Sequence, residues 1–279
     1  MEWQGNRMSE NVEYRRSGSG RKMVFGGIGT IFIAIIMYFL GMDPTQVLNF
    51  GGQQSDMTSS PSEAGKLSQT DSFVSIIHAN TEDVWTSEFA KMGKHYQPPV
   101  LVNFSGETTS DCGGASASSG PFYCPADKKV YLDHAFFVEL QERYGVEGNF
   151  APAYVIAHEV GHYIQDVLGI AGQVQQMQQR VGKSEANRLS VMLELQADFL
   201  AGYWARRAQN FKLTEQDIRS ALTAANAIGD DKLQLQSQGH IVPDAFTHGT
   251  SEQRMEWFMR GFKASNIEEG NTFKHYSNN

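Results

Sequence analysis

Residues 153–169, AYVIAHEVGHYIQDVLG, place two histidines and a glutamate in a stretch that is otherwise mostly apolar. His158 and His162 are four residues apart, so on an α-helix their side chains lie one turn apart on the same face. Two imidazole nitrogens in this arrangement can bind one zinc ion at about 2.0–2.1 Å each. Glu159 is turned aside from that ion but can reach a water molecule next to it. The HExxH pattern therefore predicts a helix that carries a catalytic metal site.

The surroundings of the motif predict that this helix is buried. Ile156, Val160, Tyr163 and Val167 form an apolar stripe on the side opposite the histidines, and the histidine side is rich in alanine and glycine. A single histidine on an apolar face is more often a hydrogen-bonded core residue than a ligand. Two imidazoles and a carboxylate buried together without partners would be costly, however, so partners are expected elsewhere in the chain.

Candidate partners lie in a second apolar stretch, VMLELQADFLAGYWA, at residues 191–205. Glu194 and Asp198 are one helical turn apart, beside small residues that allow another helix to approach closely. We expect Glu194 to be the third zinc ligand. Asp198 is expected to accept a hydrogen bond from the outer nitrogen of a ligand histidine, which fixes its tautomer.

The donor set predicts the chemistry of the site. Three protein ligands leave one zinc position open, as in catalytic sites, whereas structural zinc sites are normally closed by four ligands. Zn²⁺ is the metal that two histidines and a glutamate favour. In such a site zinc makes water acidic, and Glu159 acts as the general base that takes the proton. The expected reaction is peptide hydrolysis.

The composition limits the classes of protein to which the chain can belong. It has 279 residues, of which 41% are hydrophobic and 19% are charged, enough for one sizeable domain with appendages. The net charge of -8 argues against a general nucleic-acid binder, which would present a basic face, and no nucleic-acid partner is expected.

The first 65 residues predict membrane attachment. Residues 23–42, MVFGGIGTIFIAIIMYFLGM, carry no charge, and about 20 helical residues span the roughly 30 Å of a bilayer core. Residues 1–22 are basic, and residues 43–65 contain no Lys or Arg, which predicts a cytoplasmic N-terminus. The alternative is a cleaved signal peptide, although no typical cleavage site follows.

Four regions follow from this pattern. Residues 1–22 are expected to be a basic cytoplasmic segment, residues 23–42 a single transmembrane helix that contacts the lipid bilayer, and residues 43–65 a flexible Gly/Gln/Ser-rich linker. Residues 66–279 are expected to form the extracytoplasmic metallopeptidase domain.

Local patterns in this domain predict an α+β fold that is mostly helical, with a small sheet. Residues 72–93 suggest two helices, the second capped near Asn80 or Thr81. PVLVNFSG (99–106) and KKVYLD (128–133) are typical of strands. Helices are expected from residue 183 or 184 to about 209, from the cap at Thr214 to residue 229, and after a cap at residue 250 or 251.

Two cysteines, Cys112 and Cys124, flank a Gly/Ser-rich loop. Their short spacing favours a disulfide that closes a small loop in an oxidising compartment, which agrees with export of the domain. The alternative is a pair of free thiols in a cytosolic protein.

Four motifs together carry a family resemblance: VIAHEVGHYIQ, ELQAD, GPFYCPADKKVYLD and VPDAFTHGTSEQR. With them the sequence resembles the bacterial neutral zinc metallopeptidase family over nearly its whole length. The resemblance implies a zincin-like domain at the bacterial inner membrane, with His158 and His162 as metal ligands and Glu159 as the catalytic residue. Glu194 follows from the similarity of its ExxAD segment to that of gluzincin-type peptidases.

The chain departs from the family at two positions. Members often have one cysteine just after the ExxAD aspartate and another near the C-terminus, where this chain has Phe199 and Gly270. Only the Cys112–Cys124 disulfide is therefore expected.

The resemblance also implies a role for His248 in FTHGTSEQR. In related gluzincins a histidine of such a segment faces the site and stabilises the oxyanion, and Arg254 is expected to support His248 from its own helix. The alternative is a loop histidine that caps the last helix.

These expectations combine into one leading hypothesis: a membrane-anchored, extracytoplasmic zinc peptidase acting on peptides or proteins near the membrane. An amidase acting on cell-wall peptides would share its chemistry. The alternative is a protein that is not an enzyme: an envelope scaffold or assembly factor that zinc merely stabilises.

Overall fold

A computed structural model of the chain describes residues 1–16, 67–116, 119–142 and 148–276. Within these ranges the protein is α+β and mostly helical, as the sequence predicts. The helices are α1 (Gln69–Lys91), α2 (Ala135–Glu142), α3 (Phe150–Val167), α4 (Ile170–Gln178), α5 (Lys183–Arg207), α6 (Glu215–Ala227), α7 (Asp230–Gln238), α8 (Ser251–Lys263) and α9 (Thr272–Tyr276).

The strands form one small sheet and one hairpin. The strands are β1 (Val12–Arg16), β2 (Val100–Ser105), β3 (Glu107–Ser110), β4 (Gly113–Ser116), β5 (Phe122–Cys124) and β6 (Lys129–Asp133). The sheet has the order β1-β2-β6-β5, in which the first three strands are parallel and β5 is an antiparallel edge strand. β3 and β4 form the separate hairpin.

The predicted disulfide is present and joins the hairpin to the edge of the sheet. Cys112 lies in the turn between β3 and β4, and Cys124 ends β5, with an S–S distance of 2.04 Å. No second bridge exists, because the chain has two cysteines. At the two positions where the family resemblance suggested an extra pair, the ring of Phe199 packs against Gly270 so closely that a Cβ at residue 270 would lie 2.3 Å from it.

The HExxH helix α3 lies at the centre of the core and contacts α1, α5 and α6. Its approach to α5 depends on a glycine, because a Cβ at Gly161 would lie 3.2 Å from the carbonyl oxygen of Ala197. On its other side α5 meets α8 even more closely, where a Cβ at Gly202 would lie 1.9 Å from the carbonyl oxygen of Phe258. The helix of the second motif is thus held between α3 and α8.

The helix boundaries differ from the prediction in one place. Residues 72–93 were expected to form two helices, but α1 runs unbroken from Gln69 and is capped by Ser68, whose side chain accepts the Asp71 N–H. The polar residues that suggested a break have partners inside the fold. The Thr81 hydroxyl donates to the His78 carbonyl oxygen at 2.7 Å, and Asn80 accepts a hydrogen bond from the Trp204 indole at 2.9 Å.

None of the helices in the described ranges is long and apolar enough to cross a membrane. The transmembrane helix predicted at residues 23–42 and the linker predicted at residues 43–65 lie outside the described residues.

Residues 1–16, the described part of the segment predicted to be a basic cytoplasmic N-terminus (residues 1–22), pack against the domain. β1 pairs in parallel with β2 from Val12–Leu101 to Arg16–Ser105, and Trp3 is buried against Phe73. The sequence did not indicate this packing because a five-residue strand rich in charge has no local pattern that names its partner.

A buried carboxylate on α1 holds the N-terminal residues. Oε1 of Glu82 accepts hydrogen bonds from the Ser9 hydroxyl at 2.6 Å and the Asn11 amide at 2.8 Å, and Oε2 lies 2.9 Å from an Arg7 guanidinium nitrogen. Burial acts to raise the pKa of Glu82, but these three partners and His78, at 3.8 Å, outweigh it and lower the pKa.

We expect Glu82→Gln to lower the free energy of unfolding by about 1–3 kcal/mol at pH 7, because hydrogen bonds to a buried charged group are lost. The lowered pKa means that this stability is fully present above the ordinary value of 4.5 and is lost as the pH falls through the folded-state pKa. The difference between variant and parent should therefore shrink in acid.

Urea unfolding of the full chain at pH 7 and in acid measures this difference. Asp83→Asn is the matched control, because the neighbouring Asp83 carboxylate also contacts Arg7 but is exposed. Equal losses for both variants at pH 7 would contradict the assignment.

Candidate metal centre

Helix α3 brings the two motif histidines together. The Nε2 atoms of His158 and His162 lie 3.2 Å apart, and the two rings are nearly perpendicular. His158 is buried, and the His162 side chain is 20% exposed, so the pair is accessible to solvent on the side of His162.

Helix α5 adds a carboxylate to the pair. Glu194 Oε2 lies 3.2 Å from His158 Nε2, and Glu194 Oε1 lies 3.5 Å from His162 Nε2. One ligand atom from each residue can be chosen so that all three lie within 4.8 Å of one another. We call His158, His162 and Glu194 the triad.

The separations in the triad match those of a zinc site. Two nitrogens bound at about 2.0–2.1 Å to a tetrahedral ion lie about 3.3 Å apart, and a bound carboxylate oxygen lies at a similar distance from each. The observed separations of 3.2, 3.2 and 3.5 Å fit this geometry.

The outer nitrogen of His158 has a buried partner. His158 Nδ1 lies 2.9 Å from Asp198 Oδ1, the contact that the one-turn spacing of Glu194 and Asp198 suggested. The Tyr154 hydroxyl also donates to Asp198 Oδ1, at 2.5 Å. Because an ionised carboxylate can only accept, His158 Nδ1 carries a proton, and Nε2 is the nitrogen that can bind a metal ion.

Arg254 supports Asp198, whereas the sequence-based expectation had it supporting His248. Its Nε–H donates to Asp198 Oδ2 at 2.9 Å, and a terminal nitrogen lies 3.1 Å from Oδ1. The same nitrogen lies 3.3 Å from the Tyr154 hydroxyl. A fully buried aspartate needs a strong cationic partner, and Arg254 on α8 supplies one.

Gln165 orients His162 as Asp198 orients His158, and the sequence analysis missed it. Its side-chain nitrogen donates to the carbonyl oxygen of Leu193 at 2.7 Å and to Gln196 Oε1 at 3.1 Å. These two bonds orient the amide so that Gln165 Oε1 accepts from His162 Nδ1, at 2.9 Å. His162 therefore also offers Nε2 to the triad.

The two tautomers supply an independent test of whether a cation fits. With both Nδ1 atoms donating, the two Nε2 atoms and the Glu194 carboxylate converge at 3.2–3.5 Å, and a positive charge, supplied by a metal ion or by a proton on an imidazole, must lie among them.

The ionisation of the neighbouring groups agrees with this requirement. Burial acts to lower the pKa of His158, but the charge and hydrogen bond of Asp198 and the hydrogen bond of Glu194 outweigh it and raise the pKa to about 10. Without a metal the imidazole therefore also carries a proton on Nε2, and a bound metal ion would replace that proton. Burial likewise raises the pKa of Glu194, but the adjacent histidines bring it well below its usual value. The cluster thus attracts positive charge and keeps its carboxylate ionised.

Glu159 is buried beside the triad and does not belong to it. The backbone N–H of Tyr123 on the edge strand β5 favours the ionised form of the Glu159 carboxylate. Burial chiefly, and then the charge of Glu194, raise the pKa of Glu159 in spite of the opposing effects of both histidines and of Tyr123. A carboxylate with a raised pKa is a better proton acceptor.

His248 lies at the rim of the centre. It is not a helix cap, since Thr250 caps α8. Its Nδ1 lies 3.0 Å from Asp230 Oδ1, and its side chain is 48% exposed. Partial burial lowers the pKa of His248, but the charges of Glu194 and Asp230 raise it above its ordinary value.

Asp230, which the sequence analysis also missed, shapes the loop that carries His248. Asp230 Oδ2 accepts the backbone N–H groups of Thr247, His248 and Gly249 at 2.6–3.0 Å. No local signal links residue 230 to residue 248, whereas the i,i+3 spacing of His162 and Gln165 on one helix could have revealed Gln165.

Comparison with known proteins supports the same kind of site. A family model described as "Putative neutral zinc metallopeptidase" matches residues 1–273. The chain is 45% identical over 287 aligned residues to the uncharacterized protein YpfJ of Escherichia coli strain K12, covering 98% of this chain and 99% of that protein.

A more distant relative comes from Mycobacterium tuberculosis strain H37Rv. Its uncharacterized protein Rv2575 is 41% identical over 190 residues, which cover 64% of this chain and 63% of that protein. No solved structure matches the chain.

We expect Gln165→Leu to weaken zinc binding by about 10–100-fold, the usual effect of removing the group that orients a ligand histidine. Without the amide oxygen, His162 is free to place its proton on the nitrogen that faces the triad. Competition with a chromophoric zinc chelator on the full chain measures the affinity.

Gln176→Leu serves as the control for this experiment, because it makes the same chemical change at an exposed position of α4. If Gln165→Leu binds zinc as tightly as the parent, the Gln165 amide has no influence on the metal ligand His162.

Proposed function

Because the chain belongs to the neutral zinc metallopeptidase family, we propose that it is a zinc-dependent peptidase that uses Glu159 as its general base. The observation that carries this proposal is the position of Glu159, which is buried next to the triad without being part of it. A residue that only stabilised a metal would be expected to bind it.

The triad His158, His162 and Glu194 is proposed to hold the zinc ion. Its three side chains fit the ion in separation and in tautomer, as described above. Bound zinc supplies Lewis acidity, which polarises a peptide carbonyl group and makes water acidic. Asp198 and Gln165 keep the ligand nitrogens free of protons and aimed at the ion.

Glu159 is proposed to move the proton. Its carboxylate takes a proton from the attacking water, and the raised pKa lets it hold that proton until the leaving amine accepts it.

His248 is proposed to assist at the oxyanion. Its ring is half-exposed at the rim, and its raised pKa favours the protonated form, which can donate a hydrogen bond to developing negative charge. Asp230 accepts from Nδ1 and so leaves Nε2 as the donor for the oxyanion.

The alternative of a zinc-stabilised scaffold has less support. Structural zinc sites are usually closed by four protein ligands, and only three candidate ligands cluster within the described part of the chain. A scaffold also gives no reason to bury a glutamate with a raised pKa beside the metal ligands.

We expect Glu159→Gln to abolish peptide cleavage while the full chain retains its zinc. Loss of a general base typically costs about 10²–10⁴-fold in rate. A mixture of peptides from a digested proteome is incubated with zinc-loaded protein, and mass spectrometry identifies any new termini.

Glu252→Gln, the same change at an exposed position of α8, should leave cleavage unchanged. New termini produced equally by Glu159→Gln and the parent would contradict the assigned role, and a parent that cleaves nothing while holding zinc would favour the scaffold.

A further inference from the structure

Residues 1–16, which we call the N-terminal segment, carry positive charges that pair with negative charges on helix α1. Arg7 is 2.9 Å from Glu82 and 2.7 Å from Asp83, and Arg16 is 2.5 Å from Asp71. Of the three carboxylates, those of Glu82 and Asp71 are buried. Burying an ionised carboxylate without a cation is strongly destabilising, and the segment supplies that cation to Glu82 and Asp71.

Backbone pairing adds to these contacts. Five residues of β1 are in register with β2, which would otherwise present an open edge of unpaired N–H and C=O groups. The Leu101 N–H extends the pairing by donating to the carbonyl oxygen of Asn11 at 2.9 Å. At the other end of the segment, the ring of Trp3 meets that of Phe73 edge-on at 5.3 Å between centroids.

We propose that the N-terminal segment and the domain of residues 67–276 lie in the same compartment, on the same side of any membrane that the chain meets. Strand pairing at hydrogen-bond distance and ion pairs under 3 Å cannot form across the roughly 30 Å of a bilayer core.

The basic residues that predicted a cytoplasmic N-terminus have another explanation. The orientation rule counts Arg and Lys beside an apolar segment, and Arg7, Arg15 and Arg16 contributed most of that charge. In the fold, Arg7 and Arg16 pair with carboxylates of α1, and Arg15 pairs with Glu13 at 2.7 Å. Their presence follows from the packing of the segment and does not require that they remain in the cytoplasm.

The disulfide indicates which compartment the two parts share. Cys112–Cys124 joins elements of the domain, and such bonds persist in oxidising compartments. If the domain is exported, the N-terminal segment is exported with it. This inference does not depend on the proposed peptidase activity, because none of the contacts that carry it involves the triad.

Cysteine labelling in bacterial cells that produce the full chain tests the shared compartment. Gln4→Cys and Glu252→Cys each add one exposed thiol to a chain whose own two cysteines form the disulfide. A membrane-impermeant maleimide should label both variants before lysis, or neither. Labelling of one before lysis and of the other only after lysis would overturn the proposal, and the parent chain gives the background.

A second experiment tests the docking of the segment itself. A recognition sequence for a site-specific protease is inserted between Ser59 and Ser60 of the full chain, which is purified in detergent and cut. The N-terminal fragment should remain with the domain in size-exclusion chromatography.

The double variant Trp3→Ala/Arg7→Glu should release that fragment, whereas Gln4→Ala, at an exposed position, should not. Separation of the fragments in the parent would overturn the proposal.

Discussion

The carboxylate of Asp198 is fully buried, and side chains from both neighbouring helices donate hydrogen bonds to it. His158 and Tyr154 reach it from α3, and Arg254 reaches it from α8. Removing one partner of such a buried charged network typically costs about 3–5 kcal/mol, which keeps the three helices in one arrangement. Because Glu194 lies one turn before Asp198, the same arrangement places that carboxylate against the two imidazoles. Gly161 and Gly202 permit the close approach that the network requires.

Most of the metal centre could be predicted because it depends on helical spacing. His158, His162, Glu194 and Asp198 each lie one turn from a partner, and a single period specifies which side chains share a face. The roles that depend on contacts distant in sequence could not be predicted. Arg254 bonds to a residue 56 positions away and not to the nearby His248, and the link between Tyr123 and Glu159 requires knowledge of which strand forms the edge of the sheet.

In the fold, too, local patterns predicted some elements, whereas others depend on contacts between residues that are distant in sequence. The starts of α6 and α8 were predictable because Thr214 and Thr250 cap them locally, and β2 and β6 were predictable from their apolar runs. That α1 is a single helix could not be predicted, since Asn80 and Thr81 have partners that only the folded state provides. β1 is the largest omission. The arginines of residues 1–16 suggested a basic cytoplasmic segment, and the partners of Arg7 and Arg16 on α1 lie more than fifty residues away.

The central claim is that His158, His162 and Glu194 form a zinc site, and the most direct test is the zinc content of the purified full chain and of Glu194→Ala. Elemental analysis should find about one zinc ion per parent chain and much less in the variant, with both still folded by circular dichroism. Equal zinc in both proteins, or a folded parent that binds none when zinc is supplied, would contradict the claim.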